Sequence, residues 1–392
     1  MLLSFAYILL IGMFSSYLMK KIKLPTLIGM IITGIIIGPF GLNIIDKSIL
    51  SMAADLKEVA LIIILIRAGL ALDISKLMKV GRSALLLCFI PACFEIVGIT
   101  YFSMKLFDMP LIEGAILGAI IAAVSPAIII PKMLSLLEKG YGSNKNIPQL
   151  VLASASVDDV FVIILFTIFT NIAKTNTFSI NSIINIPLSL ISAISIGIVL
   201  GFILIKLFKN IHIRDTSKVV IILGISFILV GLEEIINQYI PFAPLLSIMT
   251  IAIIIFNKYE PLAVRLSLKF NKLWVVAEII LFVLVGTTVN LSFITQVGTK
   301  AFVLILLALA LRIIGVLVCL IKTNLNTNER IFTALACTPK ATVQAALGSI
   351  PLSLGLSSGS IIQAIAVLSI LICAPLGAIA IDLTYNRLLK KE

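Results

Sequence analysis

Charged residues are scarce in this chain of 392 residues: Asp, Glu, Lys and Arg make up 12% of it, about half the share found in soluble proteins. Hydrophobic residues make up 60%. That is more than one or two soluble cores can bury, which excludes a water-soluble globular enzyme. The expected solvent is therefore the lipid bilayer. At about 20 apolar residues per crossing, the length leaves room for about a dozen transmembrane helices and almost no extramembrane domain.

Histidine and cysteine are also scarce. The one histidine, His212, lies in a basic loop, so the chain lacks the residues for a histidine-based zinc site or a Ser-His-Asp triad within the membrane. The five cysteines lie inside apolar runs, where thiols act as small hydrophobes, and neither a disulfide framework nor a CxxC metal site is expected. No cofactor and no enzymatic activity are predicted. The cysteines are Cys88, Cys93, Cys319, Cys337 and Cys373.

Apolar runs separated by Pro, Gly and charge clusters predict an all-α polytopic membrane protein with about thirteen transmembrane helices. The first run is followed by Lys20 and Lys21 and has no positive residue before it. This is the reverse of a secretory signal peptide, so the run is expected to be a retained helix. The predicted helices begin near Leu2, Thr26, Asp55, Arg82, Leu111, Gln149, Ile183, Ser217, Phe242, Asn271, Thr299, Glu329 and Ser360.

The positions of Lys and Arg predict the orientation. Of the 30 such residues, 22 fall in alternate loops on one side, five fall in loops on the other side and three fall inside spans. Cytoplasmic loops hold the excess of positive charge, which places the N-terminus outside and the C-terminus in the cytoplasm. The net charge of +12 follows from the same rule, so no nucleic-acid partner is expected. The five are Lys47, Lys57, Lys105, Lys174 and Lys300, and the three are Arg67, Arg312 and Lys340.

Two predicted spans carry a proline in the middle of a short stretch of small residues. Ser125 and Pro126 lie in the fifth span, and Thr338 and Pro339 lie in the twelfth. Proline bends a helix, and unwound backbone at membrane depth is tolerated only where it is buried or lines a cavity. Paired broken helices are typical of a transporter's ion site. The two spans are an odd number of crossings apart, which predicts an inverted repeat with two broken helices that cross.

The repeat matches helices four to six with helices eleven to thirteen. Glu95 lies 31 residues before Pro126, and Arg312 lies 27 residues before Pro339. Because a lone charge in hydrocarbon is costly, these two residues on corresponding helices are expected to pair; a purely structural role for the pair stays open. Lys340, at the second break, is expected to neutralise the negative end of a half-helix or to pair with an aspartate.

The sixth span carries two adjacent carboxylates, Asp158 and Asp159, in an otherwise apolar stretch. Adjacent helical positions point about 100° apart, so both carboxylates can face one polar cavity. Two carboxylates at this range resist ionising together, which lets a proton and a cation compete for the pair. Na⁺ and Li⁺ are hard cations that favour oxygen ligands. The sequence therefore predicts a cation and proton site here; an acid pair kept for structure alone is the alternative.

Two further charges, Arg67 in the third span and Glu278 in the tenth, have no obvious partner in the sequence. Arg67 is interpreted as an anchor near the cytoplasmic side, because Asp73 and a basic loop follow it. Glu278 is assigned to helices that face a second subunit, with lipid binding as the competing interpretation.

Together these motifs resemble the monovalent cation:proton antiporter superfamily, in particular a bacterial member of its NHA-type sodium/proton exchanger branch. The resemblance runs along most of the chain, and the motif that begins at Pro339 is its most specific part. The motifs are Arg67-Ala68-Gly69-Leu70 with Asp73, Val124-Ser125-Pro126-Ala127 with Pro131, Gly140-Tyr141-Gly142, Asp158-Asp159, and Pro339-Lys340-Ala341-Thr342-Val343-Gln344-Ala345-Ala346. Glu278 and the Val285-Gly286-Thr287-Thr288 end of the tenth span depart from the branch's pattern.

The resemblance implies a homodimer in which a fixed panel supports a mobile core that carries the ion site across the bilayer. It also implies that Asp159 is the main cation ligand, Asp158 its carboxylate partner, and Glu95 with Arg312 the intramembrane ion pair. Without a Gly-rich nucleotide fingerprint, no nucleotide partner is expected. The implied parts are panel residues 1–80 and 241–297, core residues 81–175 and 298–392, and linker helices within residues 176–240.

The expected function is secondary active exchange of Na⁺ or Li⁺ for H⁺ by an elevator-type alternating-access mechanism. The short N-terminus further suggests a bacterial cytoplasmic membrane. Two alternatives stay open. One is K⁺/H⁺ exchange, because ligand types alone do not set selectivity. The other is sodium-coupled symport of an organic anion, although two aspartates at the crossing would repel the anion.

Overall fold

The structure is a computed structural model that describes residues 1–22, 24–72, 82–175, 180–211, 213–289 and 291–391. Asp73, His212 and the predicted boundary at residues 80–81 lie outside these ranges. The described elements are α-helices, one short 3-10 turn at Ser143–Lys145 and one isolated bridge between Tyr141 and Lys391. The predicted all-α class is confirmed.

The helices are numbered in chain order along the described ranges. The first nine are α1 (Leu2–Lys21), α2 (Thr26–Ile37), α3 (Lys47–Ser51), α4 (Ala53–Gly69), α5 (Arg82–Leu87), α6 (Ile90–Phe107), α7 (Leu111–Ala122), α8 (Pro126–Glu138) and α9 (Ile147–Thr175). The next are α10 (Ile180–Asn210), α11 (Asp215–Gly231), α12 (Glu233–Asn237), α13 (Pro244–Lys258), α14 (Glu260–Thr287), α15 (Leu291–Cys319), α16 (Thr327–Ala336), α17 (Thr342–Leu347), α18 (Ile350–Ser353) and α19 (Gly359–Leu388).

Most predicted helix starts lie within a few residues of the observed ones, but the tenth and eleventh do not. The tenth span was expected to begin near Asn271, whereas α14 begins at Glu260. Its charged first half, read as a loop in the sequence, carries a buried stripe at helical spacing: Leu262, Leu266, Phe270 and Trp274. The alternation of charged and apolar residues there is amphipathic periodicity. The eleventh, α15, begins at Leu291 rather than at Thr299.

In the described ranges, seven helical stretches are long and apolar enough to cross a membrane. The chain is accordingly a multi-pass membrane protein, while the count of about thirteen crossings and the orientation of the termini stay predictions. Thr26–Ile37 and Pro244–Lys258 are shorter apolar helices. The seven stretches are Leu2–Lys21, Leu85–Phe107, Leu111–Glu138, Ile147–Lys174, Leu188–Asn210, Val297–Cys319 and Gly359–Leu388.

The chain divides into two compact units. In the first, α6 packs against α7 and α15, and α19 packs against α15, α16 and α17. In the second, α13 packs against α10 and α11. The assignment of the predicted ranges to panel, linker and core stays a prediction. The first unit comprises residues 1–54, 77–173 and 279–392, and the second comprises residues 55–76 and 174–278.

Two glycines in the first unit allow α2 and α14 to approach at backbone distance. A Cβ atom added to Gly34 would collide with the Val283 carbonyl oxygen, and one added to Gly286 would collide with that of Ile31. Because backbone atoms cannot rotate away as a side chain can, a larger residue forces the two helices apart. Close packing of this kind supplies van der Waals contact between helices where lipid weakens the hydrophobic driving force.

We expect Gly34→Ala to lower the melting temperature of the detergent-purified protein, because overpacking a close contact costs about 1–3 kcal/mol. The matched control is Gly224→Ala in α11, where nothing lies within 4 Å of the added Cβ. There alanine improves helix propensity by about 1 kcal/mol, so stability should hold or rise. Equal melting temperatures for the two variants would contradict the close contact.

Candidate functional site

Two helical segments of the first unit are interrupted in their middle, and the interruptions meet. The first separates α7 from α8, and the second separates α16 from α17. The Ser125 amide donates a hydrogen bond of 2.9 Å to the Pro339 carbonyl. The structure therefore brings together the two breaks that carry the predicted crossing residues Ser125, Pro126, Thr338 and Pro339.

The carbonyl groups at the end of α7 find a donor in Gln344. Its amide nitrogen lies 2.9 Å from the carbonyl oxygens of Ile120 and Ala123 and 3.2 Å from that of Ile121. An unpaired backbone carbonyl at membrane depth costs several kcal/mol. Gln344 lies on α17, directly after the second break, and therefore stabilises the unwound backbone of the first break.

Arg312, on α15, contacts both breaks and two carboxylates. Its Nη1 lies 3.1 Å from Glu95 Oε2, and its Nη2 lies 3.0 Å from Asp158 Oδ2. Its Nε donates to the Cys337 carbonyl at 2.7 Å, and its Nη1 also donates to the Ala122 carbonyl. The side chain is 2% exposed. A guanidinium suits this position because its five donors are spread over a planar fork.

Lys340 has a different partner from the one expected. Its Nζ lies 2.8 Å from Glu95 Oε1 and 3.0 Å from Glu95 Oε2. The sequence favoured an aspartate or the end of a half-helix, but the half-helix ends are occupied by the guanidinium of Arg312. Glu95 therefore pairs with two cations, and all three side chains are buried. The predicted pairing of Glu95 with Arg312 is present in this network.

The two aspartates of α9 differ in how they are held. Asp158 Oδ2 accepts hydrogen bonds from the Val124 amide and from Arg312, both at 3.0 Å. Asp159 forms no ion pair with any residue that the structure describes, although its side chain is only 6% exposed. Asp158 Oδ1, Asp159 Oδ1 and Ser125 Oγ have no hydrogen-bond partner among the described residues. The Asp158 carboxylate is therefore held by two donors, whereas Asp159 has no ion-pair partner among the described residues.

Counting charges shows which carboxylate of the network is left without a counter-charge. The network holds three buried carboxylates, Glu95, Asp158 and Asp159, and two buried cations, Arg312 and Lys340. Fully ionised, it carries one excess negative charge. An uncompensated buried carboxylate is strongly unfavourable. Asp159, which has no ion-pair partner among the described residues, is the carboxylate whose charge the network leaves uncompensated.

Arg67 and Glu278 both belong to the second unit, where Arg67 has contacts of its own. Arg67 Nε donates to Asn271 Oδ1 at 2.7 Å, and the guanidinium lies 5.1 Å from the centroid of the Trp274 ring. Glu278 lies one helical turn after Trp274 on α14 and attracts Arg67 electrostatically. The partners of Arg67 that the sequence did not reveal are thus on α14.

Sequence reasoning gave no role to three buried polar side chains of the interrupted segments: Gln344, Glu113 and Glu329. Gln344 lay in the quoted motif, but no role was given to it; an amide directly after a helix break is the signal that the freed carbonyls need a donor. Glu329 belongs to a capping box with Asn326, a spacing that is visible in the sequence.

A family model described as "Sodium/hydrogen exchanger, transmembrane" matches residues 6–384. Sodium/hydrogen exchanger 9B2 of Mus musculus is 30% identical over 382 residues, covering 94% of this chain and 69% of the relative. Its counterpart in Bison bison bison is 33% identical over 385 residues, covering 94% and 70%. Sodium/hydrogen exchanger 9B1 of Mus musculus is also 33% identical, covering 94% and 67%.

The fold is shared with a solved archaeal structure. The sodium proton antiporter MjNhaP1 from Methanocaldococcus jannaschii at pH 8 superimposes with a TM-score of 0.85, covering 98% of this chain and 97% of that one. Sequence identity in this comparison is 21%, so the likeness concerns the fold.

We expect Arg312→Leu to destabilise the protein more than Lys340→Leu. The first substitution strands Asp158 and two backbone carbonyls, and losing one side of a buried pair costs about 3–5 kcal/mol; the second leaves Glu95 paired with Arg312. The measurement is the melting temperature in detergent. Lys132→Leu is the control, since its pair with Asp382 is partly exposed and worth about 0–1 kcal/mol. Equal losses for Arg312→Leu and Lys340→Leu would contradict the bridging role of Arg312.

Proposed function

The chain belongs to the sodium/hydrogen exchanger family, and we propose that it exchanges Na⁺ or Li⁺ for H⁺, with cation and proton competing for Asp159. The observation that carries the proposal is the charge balance at the crossing. Two buried cations neutralise Glu95 and Asp158, and the third carboxylate, Asp159, keeps no counter-charge among the described residues. A cation and a proton each supply the missing charge.

The oxygen atoms that lack a hydrogen-bond partner among the described residues support the proposal that the site binds a small hard cation. Carboxylate and hydroxyl oxygens are the ligands that such cations prefer. Asp158 Oδ1, Asp159 Oδ1 and Ser125 Oγ lack a partner in the described part of the chain, and Ser125 follows Val124, whose amide holds Asp158. We assign Asp159 as the main ligand, with Asp158 and Ser125 completing the shell.

Asp158 differs from Asp159 in its role within this proposal. Its Oδ2 is fixed by a guanidinium and a backbone amide, so its charge is already balanced and its orientation is set. Asp158 therefore orients the site while its neighbour changes state. The two alternating states of Asp159, protonated or cation-bound, keep the net charge of the network constant.

The location of the site supports alternating access by an elevator motion. Glu95, Asp158, Asp159, Arg312 and Lys340 all lie in the predicted core ranges, residues 81–175 and 298–392, so the whole network can move without breaking its own ion pairs. Moving a neutralised site costs far less than moving a bare charge through hydrocarbon. We further propose a homodimer formed by panel residues 1–80 and 241–297, in the cytoplasmic membrane with the N-terminus outside and the C-terminus in the cytoplasm.

We expect Asp159→Asn to abolish exchange while leaving expression and melting temperature close to those of the wild type. The amide can neither take up a proton nor balance a cation. The assay uses proteoliposomes with a trapped pH dye, to which Na⁺, Li⁺, K⁺ or choline is added. Asp382→Asn, an exposed aspartate, is the matched control and should retain exchange. Normal turnover in Asp159→Asn would refute the site, and proton movement driven by K⁺ alone would indicate K⁺/H⁺ exchange.

We expect the Na⁺ concentration for half-maximal exchange to rise as pH falls. A carboxylate must lose its proton before it binds the cation, so on the acid side of the titration the rise approaches about tenfold per pH unit. The maximal rate at saturating Na⁺ should change much less. The measurement is the Na⁺ dependence of proton flux across a pH series; a half-saturating concentration independent of pH would exclude a shared site.

A further inference from the structure

Two buried glutamates lie at the outer ends of the interrupted segments, away from the crossing. Glu113 is the third residue of α7, and Glu329 is the third residue of α16. Their side chains are 7% and 1% exposed. Because α7 and α16 are the first halves of the two segments that correspond under the inverted repeat, the glutamates occupy equivalent positions. Neither contributes to the ion pairs at the crossing.

Glu113 binds the turn that precedes α19. Its Oε1 accepts hydrogen bonds from the Ser357 hydroxyl at 2.8 Å and the Ser357 amide at 3.3 Å, and its Oε2 accepts one from the Ser358 amide at 2.7 Å. A carboxylate at a helix N-terminus satisfies free amide groups and is favoured by the helix dipole. Glu113, Ser357 and Ser358 are called the serine clasp.

Glu329 binds the turn that precedes α9 through an ion pair with a lysine side chain. Its Oε2 lies 2.7 Å from Lys145 Nζ, and Lys145 also donates to the Asn324 carbonyl at 2.8 Å. The same carboxylate oxygen accepts the Asn326 amide in the capping box of α16. Glu329, Lys145 and Asn324 are called the lysine clasp. Lys145 is the second residue before α9, just as Ser357 is the second residue before α19.

The two clasps stand at opposite ends of α19. This helix has 30 residues, which makes it about 45 Å long. The serine clasp holds its first turn. Its other end reaches the lysine clasp, because the Gly142 amide donates to the Lys390 carbonyl at 2.9 Å, three residues before Lys145. Each clasp therefore ties the interrupted segment of one repeat to the last helix of the other, at a different end of the core.

We propose that the serine clasp and the lysine clasp position the ion site, with Glu113 and Glu329 as equivalent positioning residues of the two repeats. This inference rests on the proposed function. The unwound backbone at the crossing lacks regular helical hydrogen bonds, so the alignment of its oxygen atoms depends on where the outer ends of the half-helices are anchored. The lysine clasp fixes the start of α9, the helix that carries Asp158 and Asp159. A site holds its ligand when its groups are kept within about 0.5 Å of their positions.

The lysine clasp is tested with Lys145→Met, which removes the ion pair and leaves the capping box of Glu329 in place. We expect the half-saturating Na⁺ concentration in proteoliposomes to rise by about threefold to tenfold, the loss that follows removal of one typical hydrogen bond. Lys145→Arg, which can keep the pair, should restore the wild-type value. The matched control is Lys322→Met, an exposed lysine near the same turn, which should leave Na⁺ dependence unchanged.

The serine clasp is tested with Ser357→Ala and Glu113→Gln, with Ser353→Ala as the control. Ser353 is exposed, and its hydroxyl bonds only to the local Ile350 carbonyl. Both clasp variants should raise the half-saturating Na⁺ concentration, and both should reduce the rise in melting temperature that Na⁺ produces in detergent. Because Ser357 lies in a turn, Ser357→Ala keeps the test available where Lys145→Met or Glu113→Gln yields no folded protein.

Two outcomes separate this inference from the proposed function. In the first, the clasp variants melt at a lower temperature but keep the wild-type half-saturating Na⁺ concentration and the wild-type stabilisation by Na⁺. The clasps would then be structural contacts only, and the inference would be overturned. Wild-type protein that moves no protons in response to Na⁺, and gains no thermal stability from it, would overturn the proposed function itself. Altered Na⁺ dependence in both sets of variants, with both controls unchanged, supports the clasps.

Discussion

The structure depends on the need to satisfy backbone groups where two helices are broken at membrane depth. Hydrocarbon supplies no hydrogen-bond donors, so each freed carbonyl needs a partner within the protein or in a water-filled cavity. Arg312 supplies donors to both breaks and to two carboxylates with one rigid side chain, and Gln344 satisfies most of the remaining carbonyls of the first break. A polar centre can exist in this apolar chain because these two side chains supply the missing donors.

Charge is then distributed unequally over the centre. Glu95 pairs with Lys340 and with Nη1 of Arg312. Asp158 pairs with Nη2 of Arg312 and accepts a hydrogen bond from a backbone amide. This arrangement leaves a single carboxylate, Asp159, without a counter-charge among the described residues. In the proposed exchange, burial raises the cost of leaving that carboxylate bare, so a departing cation or proton must be replaced by the other. Local stability and the proposed transport chemistry therefore depend on the same charge deficit.

The sequence revealed the features whose signal is local. Prolines and adjacent aspartates inside apolar runs stand out without any knowledge of their neighbours, so Pro126, Pro339 and the pair at Asp158 were found. Partners were harder to find, because they come from distant parts of the chain: Lys340 meets Glu95 across 245 residues, and Arg67 meets Asn271 across 204. The early start of α14 was missed because its charged exposed face concealed the buried stripe.

The crossing also limits the order in which parts of the chain can fold during synthesis. The carbonyls at the end of α7 are bonded by Gln344, which follows Ile120 by 224 residues. At synthesis rates of about 5–20 residues per second, those carbonyls emerge on the order of ten to forty seconds before their donor exists. The first half of the repeat therefore cannot complete its fold on its own. Until the second half is inserted, it must be held by the insertion machinery, by transient water or by a neighbouring helix.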